Sequence, residues 1–296
     1  MPGEATHMVS PINVLVSLHR GYGLGDAVSM SAVLRHVKKY RPHWLFDYQA
    51  EEGHHQVGRG IAHNTFAWGQ VRESPLYDAE VQITLFDKWH GFTDRPNTQV
   101  SVCLKQHFNL DWDDECGRYE VAVSASAHRS AQEYMHHVTS EYTRPYRMSR
   151  CVGIHTEGRT AKSMKDLTPI QDEQICDAIR RAGCMPFSFK NYSGNVEANC
   201  ALIRQCEAFV GIDSGPAKCA SATDTPTLVV WTGHHPAQFH DPAPNTTHLV
   251  PTNYHELHPV RGNEKVIMWF LANYKVRHYH IDPIPEIQQW LQETLK

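Results

Sequence analysis

The sequence has no apolar run approaching the roughly 18 residues that a membrane-crossing helix needs. Its opening stretch, MPGEATHMVSP, carries no hydrophobic segment of the kind found in a secretory leader. Both absences point to a cytoplasmic protein. There is no C-x-x-C pair among the eight cysteines, and Cys151, Cys176, Cys184, Cys206 and Cys219 sit in apolar contexts. That pattern suits reduced, buried thiols and argues against a disulfide framework or a metal-thiolate site. Histidine is frequent, at 21 residues, yet neither H-E-x-x-H nor a Cys/His ligand array occurs, so no metal is expected. The formal net charge of −4 supplies no overall attraction to nucleic acid. A G-K-S/T phosphate loop is also missing.

With 41% hydrophobic and 20% charged residues, the chain can bury a core, and wholesale disorder is excluded. At 296 residues it suits two domains of about 150 each. Residues 12–18, INVLVSL, read as a buried strand. A glycine-rich turn follows, and then a helix over 28–40, with Val28, Ala32, Leu34 and Val37 roughly on one face and Pro42 as its stop. Residues 43–48 and 81–86 read as strands, 96–109 as a helix and 139–149 as a linker. Beyond the linker, strands are expected at 151–155, 185–189, 208–212, 227–231 and near 248–250. Helices are expected at 169–183, 198–205, 215–223, 264–274 and 285–296. Alternation of strand and helix implies mainly parallel sheets covered on both faces.

Four segments carry candidate chemistry. The turn G-Y-G-L-G-D brings Gly21, Gly23 and Gly25 to the end of the first strand, where open α/β sheets bind ligands. Asp26 sits at the start of the following helix, as a cap or as a carboxylate able to take a proton from an alcohol. The turn fits the dinucleotide fingerprint only in part. On that alternative Asp47 would hold a ribose, and the protein would be a nicotinamide-dependent oxidoreductase. In the second half, Asp213, Ser214 and Gly215 join a strand to a helix that also carries Lys218, and helix N–H groups there suit an anion or sugar hydroxyls. The loop TEGRTAKSMKD supplies Arg159, Lys162 and Lys165, cations suited to a diphosphate. His234 and His235 follow another strand and could face the same cleft.

Together these segments resemble the heptosyltransferase-type glycosyltransferases, which move heptose from ADP-heptose onto lipopolysaccharide core. The family's G-I/L-G-D-x-V/I/L turn is G-L-G-D-A-V at 23–28, followed by S-A-V-L-R-H-V-K-K-Y-R-P at 31–42. Its second signature corresponds to V-G-I-D-S-G-P-A-K-C-A-S-A-T-D-T-P-T at 210–227. Lys218 stands where relatives usually have histidine, T-G-H-H-P at 232–236 replaces a G-P-T-x-P-like turn, and residues 45–145 match poorly.

The resemblance implies an α/β fold of the GT-B type, two Rossmann-like domains facing across a cleft. Residues 1–145 would form the acceptor domain and 146–280 the donor domain, with a helix over 281–296 crossing back to the first domain. It implies an inverting, metal-independent transfer without a cofactor, the nucleotide-sugar being the substrate and Asp26 the general base. Arg159, Lys162, Lys165, Asp213, Ser214, Gly215, Lys218, His234 and His235 would lie on the donor side. The acceptor is left open among a glycan, a protein, a nucleic acid base and a small metabolite. A catalytically inactive binding module of the same fold is the other alternative.

Overall fold

The computed structural model describes residues 10–70, 77–85, 98–142, 150–159, 162–191, 193–258 and 260–296. The first half runs β1 (Ile12–Leu18), α1 (Leu24–Tyr40), β2 (Trp44–Ala50), β3 (Thr65–Ala67), β4 (Ala79–Ile83), α2 (Gln99–Cys103) and α3 (Ala125–Tyr142). Its four strands pair in parallel in the order β3-β2-β1-β4. In the second half come β5 (Cys151–His155), α4 (Lys162–Lys165), α5 (Pro169–Arg181), β6 (Met185–Ser188), α6 (Val196–Ile203) and β7 (Ala208–Ile212). They are followed by α7 (Gly215–Ser221), β8 (Thr227–Val230), α8 (Pro236–Phe239), β9 (Thr246–Pro251), α9 (Glu264–Asn273), β10 (Lys275–Tyr279) and α10 (Ile284–Thr294). Six parallel strands form its sheet in the order β10-β9-β8-β7-β5-β6. No helix among the described residues is long and apolar enough to cross a membrane.

Local signals explain most of these elements. Every residue of β5 and β7 is buried, as short apolar runs in a covered parallel sheet must be. α5 starts with a reciprocal cap, Thr168 accepting from the Gln171 N–H while the Gln171 side chain accepts from that of Thr168, and has Pro169 in its first turn. The helix expected at 96–109 is α2 continued by a wider π-type turn over Leu104–Phe108, with Pro96 outside the described residues. The expected linker at 139–149 is helical as far as Tyr142, and 143–149 lie outside the described residues. The strand expected at 81–86 is β4, and Phe86 likewise lies outside them.

One expectation about organisation is corrected. Among the described residues, the terminal helix α10 packs on the second half. Its apolar face, Ile284, Ile287, Trp290 and Leu291, joins the second half's outer core with Ile175, Ile179 and Tyr279, so α10 lies along α5 and β10. Conversely α3, placed by sequence in the first domain, lies against α6 with Ala131 and Met135 buried, and the Ser124 N–H before it donates to Glu197 Oε1 (2.7 Å). α3 thus reaches across to the second half.

The halves meet through backbone as well as side chains. The start of α1 abuts the start of α7. A Cβ placed on Gly215 would stand 2.7 Å from Leu24 Cβ and 3.1 Å from the Gly25 nitrogen, and one on Gly25 would stand 3.3 Å from Gly215 Cα. The Val196 N–H donates to the Gly53 carbonyl (3.1 Å), and Arg59 pairs with the nearly buried Glu197. Gly215→Ala is therefore expected to destabilise the chain by about 1–3 kcal/mol, because nearby backbone has nowhere to give. Urea unfolding measures this, and an unchanged midpoint would show that the interface is slack.

Several buried histidines are held neutral. Burial pushes His235 down to about 3. Burial, with Lys218 nearby, brings His240 to about 4. His155 also falls to about 4, through burial and then Arg159. An unfolded histidine titrates near 6.5, so between pH 6.5 and 4 the unfolded chain binds more protons and stability falls with falling pH. Asp241, raised to about 6 by burial, acts in the opposite sense between about pH 4 and 6 and offsets one histidine. The net expectation is a melting temperature that drops as pH is lowered from 7 to 5. His235→Asn should flatten that slope by about 1.4 kcal/mol per pH unit; an unaltered slope by scanning fluorimetry would remove His235 from the account.

Candidate active site

In each sheet the chain leaves its first strand to one side and returns on the other, between β1 and β4 and between β5 and β7. Crevices open beyond the C-terminal ends of strands at such points. Here the two crevices face each other and merge into one cleft of about 620 Å³. The loop after β1 lines one wall. The loops after β5 and β7 line the other, together with α7, His234 and Phe239.

On the first wall the chain turns sharply after Leu18. Gly21 takes a left-handed φ of +88°, which only glycine adopts without strain, and its N–H donates to Glu51 Oε1 (3.1 Å). Arg20 lies over the Trp68 ring, whose Nε1–H donates to the Leu18 carbonyl. α1 then begins with Gly23 as its cap residue, so Asp26 stands in the first turn rather than at the cap. The Asp26 carboxylate reaches back: Oδ2 accepts from the Gly23 N–H (2.9 Å), and Oδ1 accepts from Gln99 Nε2 (2.8 Å).

On the second wall Asp213 is buried at the end of β7, 2.9 Å from Lys165 Nζ and 3.5 Å from His234 Nδ1. Burial alone would raise its carboxyl, but the nearby His234 and the charges of Lys165 and Lys218 prevail and hold it well below the usual carboxylate range. Ser214 caps α7, its hydroxyl accepting from the Ala217 N–H. His234 stacks on Phe239, with ring centroids 4.4 Å apart. Lys218 lines the cleft from α7 but is only 4% exposed, its ammonium directed to Ser29 Oγ (2.9 Å) and Gln99 Oε1 (3.1 Å). Burial lowers its pKa, against the opposing pull of Asp26, Asp213 and Asp241.

Of the residues singled out in the sequence, Gly21, Gly23, Gly25, Asp26, Arg159, Lys165, Asp213, Ser214, Gly215, Lys218 and His234 come together around this cleft. Two do not. Lys162, on the same turn α4 as Lys165, is exposed and paired with Glu157 (2.8 Å) in the loop after β5. His235 is fully buried against Phe270, its Nδ1 accepting from the Ala237 N–H at the start of α8. Asp47 is also withdrawn from any ribose. It lies inside β2, nearly buried, with Oδ1 accepting from Asn64 and Oδ2 from the Tyr77 hydroxyl, which removes the basis of the oxidoreductase alternative.

Gln99, His54 and His155 line the cleft without having been singled out. His155 was legible in principle, as the last residue of a buried strand. Gln99 and His54 lie in stretches with no motif, and only the folding of the first half brings them to Asp26. Among the described residues no group of three or more His, Cys, Asp or Glu side chains is placed to hold a metal ion.

Residues 195–266 match the family model described as glycosyltransferase family 9 (heptosyltransferase). No match to a curated protein reaches significance. Among solved structures, a glycosyl transferase family 9 protein from Veillonella parvula aligns with a TM-score of 0.65 and 12% identity, over 97% of this chain and 98% of its own. The ADP-heptose lps heptosyltransferase II of E. coli aligns at 0.58 with 11% identity, over 88% of this chain and 99% of its own. The E. coli heptosyltransferase WaaC, solved with ADP, aligns at 0.53 with 13% identity, over 88% and 100%. At such identities the structural likeness is one of fold. The chain thus shares the fold of these glycosyltransferases, two facing parallel sheets, and its segment 195–266 matches the glycosyltransferase family 9 (heptosyltransferase) model.

Proposed function

We propose that this protein transfers a sugar from a nucleoside diphosphate donor to an acceptor hydroxyl, with inversion and without a metal ion, and that Asp26 is the general base. One observation carries the reading. A carboxylate from the first half and a cluster of cations from the second face each other across a single cleft. The acceptor hydroxyl would attack the anomeric carbon from the side opposite the diphosphate. As the new C–O bond forms, the bond to the diphosphate breaks, its electron pair leaves with the phosphate oxygen, and the hydroxyl proton passes to Asp26. Lys165, held by Asp213, and Arg159 would stabilise the charge growing on the leaving group. Ser214 and Gly215, at the start of α7, and the His234–Phe239 stack would complete the donor wall.

A solved relative holds ADP, and another is described as an ADP-heptose heptosyltransferase. ADP-heptose or a close analogue is therefore the first donor to test here. The acceptor side, with Arg20, His19, Tyr22 and His54, sets no single acceptor class.

The experiment is a calorimetric screen of nucleoside diphosphates and their sugars in the presence of a chelator, followed by transfer assays on the donor that binds. ADP is expected to bind without metal. Asp26→Asn is expected to lower transfer by about 10²–10⁴-fold while leaving donor affinity within a few-fold. Transfer near the wild-type rate in Asp26→Asn would remove Asp26 from the chemistry, and donor binding without any turnover would mark an inactive module. Lys165→Met should weaken ADP binding by about tenfold, since it deletes a charge at the diphosphate wall; an unchanged affinity would place the diphosphate elsewhere.

A further inference from the structure

The sequence placed Lys218 among donor-binding residues, but the geometry gives it another part. We propose that Lys218 and Gln99 are positioning residues, Lys218 orienting the Gln99 amide and that amide fixing the Asp26 carboxylate across the domain interface. This rests on the reading of Asp26 as the base.

Gln99 opens α2 and is nearly buried. Its Nε2 donates to Asp26 Oδ1 (2.8 Å), and its Oε1 accepts from Lys218 Nζ (3.1 Å). An ammonium only donates and a carboxylate only accepts, so an amide between them has a single satisfactory orientation. Lys218 thus locks Gln99 with its N–H toward Asp26. The lysine is itself held by Ser29 Oγ (2.9 Å), whose hydroxyl donates to the Gly25 carbonyl (3.2 Å), and it faces the Tyr119 ring at 5.9 Å. These contacts occupy the ammonium inside the interface and turn it from the open cleft. The other Asp26 oxygen is held by the Gly23 N–H. With both oxygens engaged, the carboxylate plane is set.

Ser29, Gly25 and Asp26 belong to α1, Gln99 to α2 and Lys218 to α7. The base is therefore oriented only while the halves are docked, and separating them releases the Gln99 amide. Among the described residues, Lys218 and His54 are charged or titratable groups that bear on Asp26 from neighbouring elements.

The test uses the full chain, ¹⁵N-labelled, and follows the Gln99 side-chain amide by NMR, with the signal assigned by its loss in Gln99→Leu. Lys218→Met is expected to reduce exchange protection of the bonded amide proton at least tenfold, while ADP affinity stays within twofold. Turnover of ADP-heptose, with water as acceptor, is expected to fall about tenfold in Lys218→Met, but less than twofold when the same substitution is made in Gln99→Leu. Gln99→Glu keeps a partner for Lys218 and sets an oxygen against Asp26. It should move the acid limb of the turnover profile to higher pH, which a merely structural role would leave in place, and it serves if Lys218→Met does not fold.

An unchanged Gln99 signal in Lys218→Met overturns the proposal. So does a tenfold loss of ADP affinity with equal cost in both backgrounds, which would return Lys218 to the donor. Failure of the transfer reading is seen separately, as ADP-heptose turnover that survives Asp26→Asn; the amide signal reports on positioning in either case.

Discussion

The constraint on which the site depends is the approach of two helix starts, α1 at Gly25 and α7 at Gly215, with no room for a Cβ on Gly215. Each helix belongs to a different sheet. Bringing their first turns into backbone contact places the residues of those turns, Asp26 on one side and Lys218 on the other, at the floor of the cleft. The glycines of the two sequence signatures thus serve each other as much as any ligand. Gly21 is different: it lets the chain turn after β1 with a positive φ.

Packing two halves this tightly buries charge, and the surroundings sort the carboxylates. Asp213 is buried yet strongly acidic, because His234, Lys165 and Lys218 favour its ionised form more than burial opposes it. Asp241, also buried, is raised to about 6, because there burial outweighs the opposing effects of Thr98, Lys218 and Tyr119. Around them His235, His240 and His248 are kept neutral by burial first. The second half therefore sets neutral imidazoles and aromatic rings behind the buried, ionised Asp213 and the cations around it.

The strands were legible wherever they were short, apolar and covered on both faces, as at β1, β5, β7 and β8. Besides the single turns α4 and α8, three elements were not. β10, with Lys275, Arg277 and His278, reads as polar because it is an edge strand whose charges reach solvent. β3 is only Thr65–Ala67, too short for any period to show. α3 carries few large apolar residues, since Ala131 and Met135 suffice to seat it on α6. The amphipathic pattern of α10 identified a buried face, but a pattern names no partner, and that face met α5 of its own half.

The sequence alone determined the two α/β halves, the glycine turns and most residues of the cleft, because strand-to-helix junctions at a sheet's C-terminal edge are local and are written in contiguous residues. Tertiary structure alone decided which cations face the cleft. Lys162 and Lys165 lie three residues apart on a single turn, and only packing against Asp213 selects the second. It also decided that Asp47 is spent inside its sheet and that Gln99 spans Asp26 and Lys218. Those contacts join positions as much as 119 residues apart, and such pairings are set by how two folded surfaces close on one another rather than by any spacing along the chain.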